Sequence, residues 1–242
     1  MQTMPTAAPA SGLLPNRLFN SVLNSAPNPV PNFVPNVEPF PDHHNDLAGT
    51  LKFAWQMLGR GVHDRRSAFH TPVLATQSPS GPEARVLVMR ALDVDTRTLT
   101  FHTDTRSPKL LQLEADNRVA LTFYDAPRKT QLRLNGSARL HVNDALSQRR
   151  FKGSRPSSLR CFLGAAPGVI SPVPASGLPA GLEGREPEWA ELHPAEANFA
   201  VLNVAVHQLE WLHLHTAGQR RALFRWADGL AGCDCAMQWL NP

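Results

Sequence analysis

The chain has 242 residues, of which 42% are hydrophobic and 18% are charged, and its formal net charge at pH 7 is +4. This is the composition of a globular protein, and the length is sufficient for a domain with a large core. The basic residues are scattered, which gives no indication of nucleic-acid binding, and no apolar run approaches the roughly 18 residues that span a membrane.

The beginning of the chain predicts a leader over residues 1–45 and a domain over residues 46–242. The leader is rich in proline and asparagine, which is typical of an extended or disordered segment. Over residues 46–63 the apolar side chains recur at spacings of three and four, which indicates one amphipathic helix. Trp55 lies on its apolar stripe, so we expect Trp55 to pack in the core rather than to face a cofactor.

Short β-type runs dominate the rest of the chain. They predict strands over residues 69–76, 84–91, 98–103, 118–124, 130–141, 199–206, 209–215 and 221–226. Between them we predict helices over residues 107–115 and 143–152, and a long loop over residues 164–184. About eight strands with a few helices indicate a mainly β fold of the α+β type, an antiparallel barrel that is closed or split.

The first candidate site lies between Arg85 and Lys109. Arg85 and Arg90 occupy one predicted strand, while Ser107 and Lys109 flank Pro108 at the start of a predicted helix, with Ser107 as its expected N-cap. Guanidinium, hydroxyl and ammonium groups beside a helix N-terminus favour phosphate. The same pattern also fits a capped helix beside a basic strand edge, and spacing alone does not decide between the two.

Other basic residues, cysteines and histidines give weaker signals. The pairs at residues 65–66 and 149–150, both Arg-Arg, are interpreted as solvated faces. The three cysteines cannot form a paired disulfide framework, so we expect a reducing, cytoplasmic location. Cys233 and Cys235 form a lone Cys-x-Cys pair, which is weak evidence for a metal. His213 and His215 would share a strand face, as a metal or haem ligand pair could, but we favour a polar outer face and expect no metal.

Several motifs resemble the FMN-binding signature of the pyridoxamine 5′-phosphate oxidase family. Residues 84–90, Ala-Arg-Val-Leu-Val-Met-Arg, are similar to A-R-x-V-L-L-K, and residues 101–109, Phe-His-Thr-Asp-Thr-Arg-Ser-Pro-Lys, are similar to F-Y-T-N-x-x-S-R-K. Residues 117–124 and 131–136 resemble N-P-R-A-A-L-L-F-Y and Q-V-R-I-E-G, and the final residues 239–242 resemble R-L-x-P. The resemblance covers residues 47–242 and implies an antiparallel split β-barrel with a few flanking helices.

The resemblance also implies an FMN site. Arg85, Ser107 and Lys109 match the positions that hold the FMN phosphate in the family. The backbone that follows Arg85 would run beside the isoalloxazine ring, and His102, Thr103 and Gln131 would contact the flavin or its ribityl chain. The implied cofactor-binding set is Arg85, Val86, Leu87, Val88, Met89, Arg90, His102, Thr103, Ser107, Lys109 and Gln131.

The sequence departs from the family most strongly on the substrate side. Pro108 replaces an arginine that contacts the phosphate, and the Arg-Leu-His stretch that recognises the vitamin falls on residues 219–221, Gln-Arg-Arg. Arg90 and Arg155 match substrate-side basic positions, although Arg155 could equally anchor a loop. These departures leave the substrate undefined.

The leading hypothesis is an FMN-dependent oxidoreductase that passes a hydride from a small-molecule substrate to the flavin. The resemblance implies a homodimer with FMN at the interface, and we expect neither nucleic-acid nor membrane partners. The alternative is a non-catalytic split barrel that binds flavin or haem, which the loss of the substrate-side motif favours. A degenerate barrel with a structural or interaction role is a third hypothesis.

Overall fold

The computed structural model describes residues 40–227 and 235–242. These residues lie in one compact unit, Pro39–Pro242. Most of the predicted leader, residues 1–39, lies outside the described residues, as does Cys233 of the Cys-x-Cys pair. Within the last part of the predicted leader, Asp42–His44 forms a 3-10 helix and His44 is buried. Packing therefore begins before residue 46.

The described residues form nine strands and five α-helices. The strands are β1 (Val73–Ser78), β2 (Gly81–Val86), β3 (Met89–Asp93), β4 (Thr98–Asp104), β5 (Arg118–Asp125), β6 (Thr130–Val142), β7 (Phe199–His213), β8 (Arg220–Trp226) and β9 (Cys235–Leu240). The helices are α1 (Leu47–His63), α2 (Lys109–Ala115), α3 (Ala145–Lys152), α4 (Pro156–Leu159) and α5 (His193–Asn198). Across the described ranges, no helix is both long and apolar enough to cross a membrane.

The strands form one antiparallel sheet that does not close. Its main path runs β2-β1-β5-β6-β7-β4-β3, and β8 and β9 branch from β7. The first part of β7, residues 199–205, pairs with β4, whereas its last part, residues 208–213, pairs with β8. The long strand β6 pairs with both parts. This branching confirms the predicted mainly antiparallel split barrel with flanking helices.

A bulge in β7, at residue 207, marks the place where β7 exchanges one neighbour for the other. The register between β6 and β7 shifts between Asn135 and Gly136. A Cβ atom on Gly136 would stand 2.1 Å from the carbonyl oxygen of Ala205. Because no side chain fits at that distance, this crossing of the two strands requires glycine.

Several predicted element bounds are wrong. Phe69 lies in a 3-10 helix, Ala68–His70, instead of beginning a strand. The predicted strand over residues 84–91 is two strands, because β2 and β3 stand at opposite ends of the sheet path and the chain passes between them at residues 87–88. The two strands predicted over residues 199–215 are the single strand β7, and β9 was not predicted.

Two apolar clusters position the strands that carry the candidate site. The larger one packs α1 against the sheet, and Trp55 is 9% exposed with its ring centroid 5.9 Å from that of Trp226. The prediction that Trp55 packs in the core is therefore confirmed. The smaller cluster packs Phe151 of α3 and Leu159 of α4 against Phe199 of β7. Burial of large side chains such as these is the main stabilising contribution in a domain.

Candidate functional site

The residues predicted to bind phosphate meet where β2, the end of β4 and the start of α2 come together. Lys109 Nζ donates hydrogen bonds to Thr103 Oγ1 at 2.9 Å and to Ser107 Oγ at 2.7 Å. Arg85 reaches the same place, because its Nη2 donates to Gln112 Oε1 at 3.2 Å in the first turns of α2. We call Arg85, Thr103, Ser107 and Lys109 the cradle.

Lys109 carries a charge that no carboxylate within the described residues balances directly. Burial lowers the pKa of Lys109 from its usual value, the charge of Arg85 lowers it further, and the more distant Asp104 carboxylate partly opposes both. Asp104 is itself engaged by Arg106, whose Nη2 lies 2.7 Å from Asp104 Oδ2. The partners of the ammonium are thus two hydroxyl groups, both of which can also serve an anion.

Arg85 differs from Lys109 because it already has an anionic partner. Its Nη2 lies 2.9 Å from Glu83 Oε2, and its Nη1 donates to Thr76 Oγ1. Hydrogen bonds from Gln112 and Ser78, followed by the charge of Arg85, hold the pKa of Glu83 below its usual value. Glu83 is therefore ionised near neutral pH, and it competes with any anion that approaches Arg85.

Ser107 does not cap α2 through its hydroxyl group, so this prediction is wrong. The helix has no side-chain cap hydrogen bond, and the Ser107 hydroxyl accepts from the Lys109 ammonium instead. Pro108 has helical backbone angles, φ −54° and ψ −26°, and its carbonyl accepts from the Gln112 amide at 3.4 Å. The Ser107 side chain thus binds the Lys109 ammonium and makes no hydrogen bond to the amides at the start of α2.

A second basic site opens beside the first as a cavity of about 630 Å³. Its lining includes His63, Arg65, His70, Met89, Arg90, His102, Arg149, Arg150, Arg155 and Ser158, and it contains no aspartate or glutamate. We call it the arginine cavity. Arg65 and Arg149 are exposed, as the interpretation of the Arg-Arg pairs as solvated faces requires, whereas Arg150 is half-buried and departs from it. All three side chains line this cavity.

The strand β4 separates the cradle from the arginine cavity. His102 and Thr103 are consecutive in β4, and consecutive strand residues point to opposite faces of a sheet. Thr103 accordingly contacts Lys109, whereas His102 lines the arginine cavity with its ring centroid 4.7 Å from that of Phe199. The two side chains that were expected to contact one flavin lie on different faces.

His102 is uncharged at neutral pH. Burial, followed by the charges of Arg90 and Arg150, lowers the pKa of its imidazole to about 3. Both ring nitrogens are buried, and neither has a hydrogen-bond partner in the described parts of the chain. The Nε atoms of Arg90 and Arg150 are also buried without a hydrogen-bond partner among the described residues. Buried polar groups without partners are costly, so a hydrogen-bonding ligand would be stabilised at this inner end of the cavity.

Residues 86–89 carry the chain from β2 to β3. Val86 is 61% exposed, whereas Met89 is fully buried in the core. Leu87 donates its amide hydrogen to the Pro72 carbonyl at 3.0 Å, which fixes the crossing between the two strands, and Val88 is half-buried beside it. The Val86 side chain therefore faces solvent, and the Met89 side chain belongs to the core.

Gln131 and Arg155 lie apart from the cradle. Gln131 stands in β6 opposite Tyr124 of β5 and Leu212 of β7. Within residues 40–227 and 235–242, no hydrogen bond joins Gln131 to a cradle residue. Arg155 precedes α4 and lines the arginine cavity together with Arg90. The structure thus brings the two predicted substrate-side arginines together and leaves Gln131 separate.

The arginines at residues 220–221, where the substrate-side motif falls, are engaged elsewhere. Arg221 Nη2 lies 3.0 Å from Glu210 Oε2, and the Arg220 guanidinium lies 4.3 Å from the centroid of the Phe40 ring. Neither side chain lines the arginine cavity.

His213 and His215 do not form a polar outer strand face, and that interpretation is wrong. His213 is the last residue of β7 and is 8% exposed, while His215 lies beyond the strand. Their ring centroids are 5.7 Å apart, and His213 also stacks on Trp211. Among the residues that the structure describes, no three His, Cys, Asp or Glu side chains are arranged to hold a metal ion.

Comparison with known sequences identifies related proteins. Residues 62–172 match the sequence model of the pyridoxamine 5′-phosphate oxidase family. The pyridoxine/pyridoxamine 5′-phosphate oxidase of Granulibacter bethesdensis is 39% identical over 69 residues, which are 27% of this chain and 32% of that protein. The corresponding enzyme of Rubrobacter xylanophilus is 39% identical over 67 residues, 27% of this chain and 30% of that protein. The match therefore spans about a third of the length of these curated relatives.

Solved structures extend the similarity to most of the chain. A pyridoxamine 5′-phosphate oxidase-related, FMN-binding protein from Nostoc punctiforme is 26% identical with a TM-score of 0.59, and the match covers 79% of this chain and 97% of that one. PhzG from Burkholderia lata, solved with tetrahydrophenazine-1-carboxylic acid, is 16% identical with a TM-score of 0.59 over 86% of this chain and 100% of that one. At that identity the likeness to PhzG concerns the fold alone.

Proposed function

Since the chain is a pyridoxamine 5′-phosphate oxidase-like split-barrel protein, we propose that it binds FMN and acts as an oxidoreductase with altered substrate recognition. The observation that carries this proposal is Lys109, a partly buried ammonium group whose hydrogen-bond partners are two hydroxyls. When bound, FMN supplies the chemistry by accepting a hydride, and the protein supplies binding, orientation and electrostatics.

The donors of the cradle fit the phosphate of FMN. Lys109 and Arg85 provide the positive charge, and Thr103 and Ser107 provide hydroxyl groups already directed at the Lys109 ammonium. An incoming phosphate would share these donors and would replace Glu83 as the anionic partner of Arg85. Charge-assisted hydrogen bonds of this kind are roughly twice as strong as neutral ones.

We assign the remaining flavin contacts to two places. The backbone of residues 86–89 follows the cradle residue Arg85 along the chain, and the side chain of Arg90 lines the arginine cavity. Gln131 makes no hydrogen bond to the cradle in the described part of this chain, and we assign it to the FMN of a partner subunit in a homodimer. His102 faces the arginine cavity, where it would border the substrate.

A lysine substitution tests the FMN assignment. Lys109→Ala removes one charge-assisted contact worth about 1.5–3 kcal/mol, so we expect FMN affinity to fall about 10- to 100-fold. Lys52→Ala, at an exposed position on α1, is the matched control and should change nothing. The measurement is a fluorescence titration of flavin-free protein with FMN. An affinity for FMN that stays within twofold of wild type in Lys109→Ala would contradict the proposal.

A flavin-binding protein without oxidase activity toward vitamin B6 is the second candidate. It is favoured by the engagement of Arg220 with Phe40 and of Arg221 with Glu210, which removes both from the arginine cavity. FMN-loaded protein supplied with pyridoxamine 5′-phosphate and oxygen should then form no pyridoxal 5′-phosphate. Steady formation of that product would instead identify the chain as a functional oxidase of this vitamer.

A further inference from the structure

The arginines of the cavity differ from most of the other described arginines in what they contact. Arg65, Arg90, Arg149, Arg150 and Arg155 all line one space, and every arginine–carboxylate salt bridge found in the described residues lies elsewhere. None of the five side chains donates a hydrogen bond to a described residue. Burial lowers the pKa of Arg90 from its usual value, and the charge of Arg65, which repels that of Arg90, lowers it further.

The positive charges of the cavity lie at two depths, an inner end and a mouth. At its inner end, Arg90 and Arg150 are half-buried, and their Nε atoms are buried without partners beside the uncharged imidazole of His102. At its mouth, Arg65, Arg149 and Arg155 are exposed. Desolvating a cation without a counterion is unfavourable, so the inner end requires an anion more strongly than the mouth does.

A single anionic group does not account for this arrangement. One phosphate or carboxylate is satisfied by one or two guanidinium forks, because each fork presents parallel donors to two oxygens. A volume of about 630 Å³ also lies well within the range of sites for complete small molecules, which is about 300–1,000 Å³. Both the charge and the space are sufficient for a larger ligand with more than one anionic group.

We propose that the arginine cavity binds a small molecule with two separate anionic groups. Arg90 and Arg150, with His102 as a neutral hydrogen-bonding group, hold the first at the inner end. Arg65 and Arg149, with Arg155, hold the second at the mouth. As the substrate class of the flavoprotein this inference rests on the proposed function, but binding of the probes and binding of FMN are measured separately.

The test compares two probes that differ by one anionic group. Glycerol 3-phosphate has one such group, and 3-phosphoglycerate adds a carboxylate to nearly the same skeleton. Titration calorimetry on the full chain with FMN present should show that 3-phosphoglycerate binds at least about tenfold more tightly, as one charge-assisted interaction would give. Equal affinities, or no measurable binding of either probe, would overturn the inference.

Substitutions at the two depths make the test specific. In Arg65→Gln/Arg149→Gln, both exposed positions, the preference for 3-phosphoglycerate should fall below about threefold while glycerol 3-phosphate binds as before. Arg90→Gln should weaken both probes about tenfold or more. Arg139→Gln, an exposed arginine outside this cavity, is the matched control and should change neither. A preference that survives the double substitution, or that Arg139→Gln also abolishes, contradicts the assignment.

The same titrations in Lys109→Ala protein separate this inference from the proposed function. Lys109→Ala protein, with its weakened FMN binding, should still distinguish the probes. Wild-type protein that distinguishes the probes but does not bind FMN would contradict the flavoprotein proposal and leave the anion site intact. FMN binding with no discrimination between the probes would contradict the anion site alone.

Discussion

The cradle and the arginine cavity lie on opposite faces of β4, and both are basic, but they are balanced in different ways. In the cradle, the Lys109 ammonium contacts two hydroxyls and Arg85 contacts Glu83 and Gln112. In the cavity, the arginines and His102 have no such partners within the described chain. A ligand in the cradle would exchange existing contacts, whereas a ligand in the cavity would supply missing ones.

This difference bears on both stability and binding. Internal partners lower the free-energy cost of burying charge in the cradle. They also reduce the binding free energy of an incoming phosphate, because the phosphate must replace contacts that already exist. Unpaired groups in the cavity cost stability, and that cost is recovered when a complementary ligand binds. The cavity is thus expected to limit stability without ligand.

The largest predicted difference is a dependence of stability on acid. Burial lowers the pKa of His102 to about 3 and that of His44 to about 4, from a usual value of 6.5. The unfolded chain binds these protons near pH 6.5 while the folded chain does not, so stability falls as the pH falls from about 6.5 toward 4. Each histidine contributes a slope of at most about 1.4 kcal/mol per pH unit.

Urea denaturation of flavin-free protein at several pH values between 7 and 4.5 checks this dependence. His102→Gln should remove one histidine's share of the slope, since glutamine cannot be protonated in this range. An unchanged slope in His102→Gln would show that the inner end of the cavity is more hydrated than its burial indicates.

Substituting one arginine from each site by methionine is predicted to change the free energy of unfolding in opposite directions. Arg90→Met keeps much of the apolar stem and removes a half-buried, unpaired charge, so the free energy of unfolding should rise by about 1 kcal/mol. Arg85→Met breaks the contacts with Glu83 and Gln112 and should lower the free energy of unfolding by about 1 kcal/mol. Urea denaturation of both variants without ligand is the measurement, and effects of the same sign would remove the distinction between the sites.

The smallest predicted effect concerns the competing carboxylate of the cradle. Glu83→Gln frees the Arg85 guanidinium for phosphate, and FMN affinity should rise about three- to fivefold, because exposed ion pairs are worth less than about 1 kcal/mol. Glu114→Gln, at an exposed position near the other end of α2, is the control for the change in net charge. A fluorescence titration in which both variants gain equally would assign the effect to net charge alone.

The sequence predicted the cradle better than the cavity because the cradle is largely local. Thr103, Ser107 and Lys109 lie close together at the end of one strand and the start of one helix, where spacing decides which groups meet. The cavity combines residues from the end of α1, from β3, from β4 and from α3. In the sequence, Arg149 and Arg150 are indistinguishable from a solvent-exposed pair. The packing of α3 against β7 is what places them at the cavity.

The boundary errors have a related cause. Residues 84–91 form one apolar-rich run, but pairing with β1 on one side and β4 on the other divides it at residues 87–88. Residues 199–215 contain two β-type runs, yet one long strand forms because β6 pairs along its whole length. Hydrophobic periodicity indicates that a strand exists, while its partners decide where it begins and ends.

The sequence by itself determined that this is a mainly β protein with a group of basic and hydroxyl residues between Arg85 and Lys109, because strand periodicity and helix-start chemistry act between neighbouring residues. Only the tertiary structure decided that the side chains of His102 and Thr103 lie on different faces of β4 and that Glu83 forms a salt bridge with Arg85. It also decided that five arginines from distant segments surround one cavity. Those outcomes depend on strand pairing and helix packing, which bring together groups that are remote along the chain.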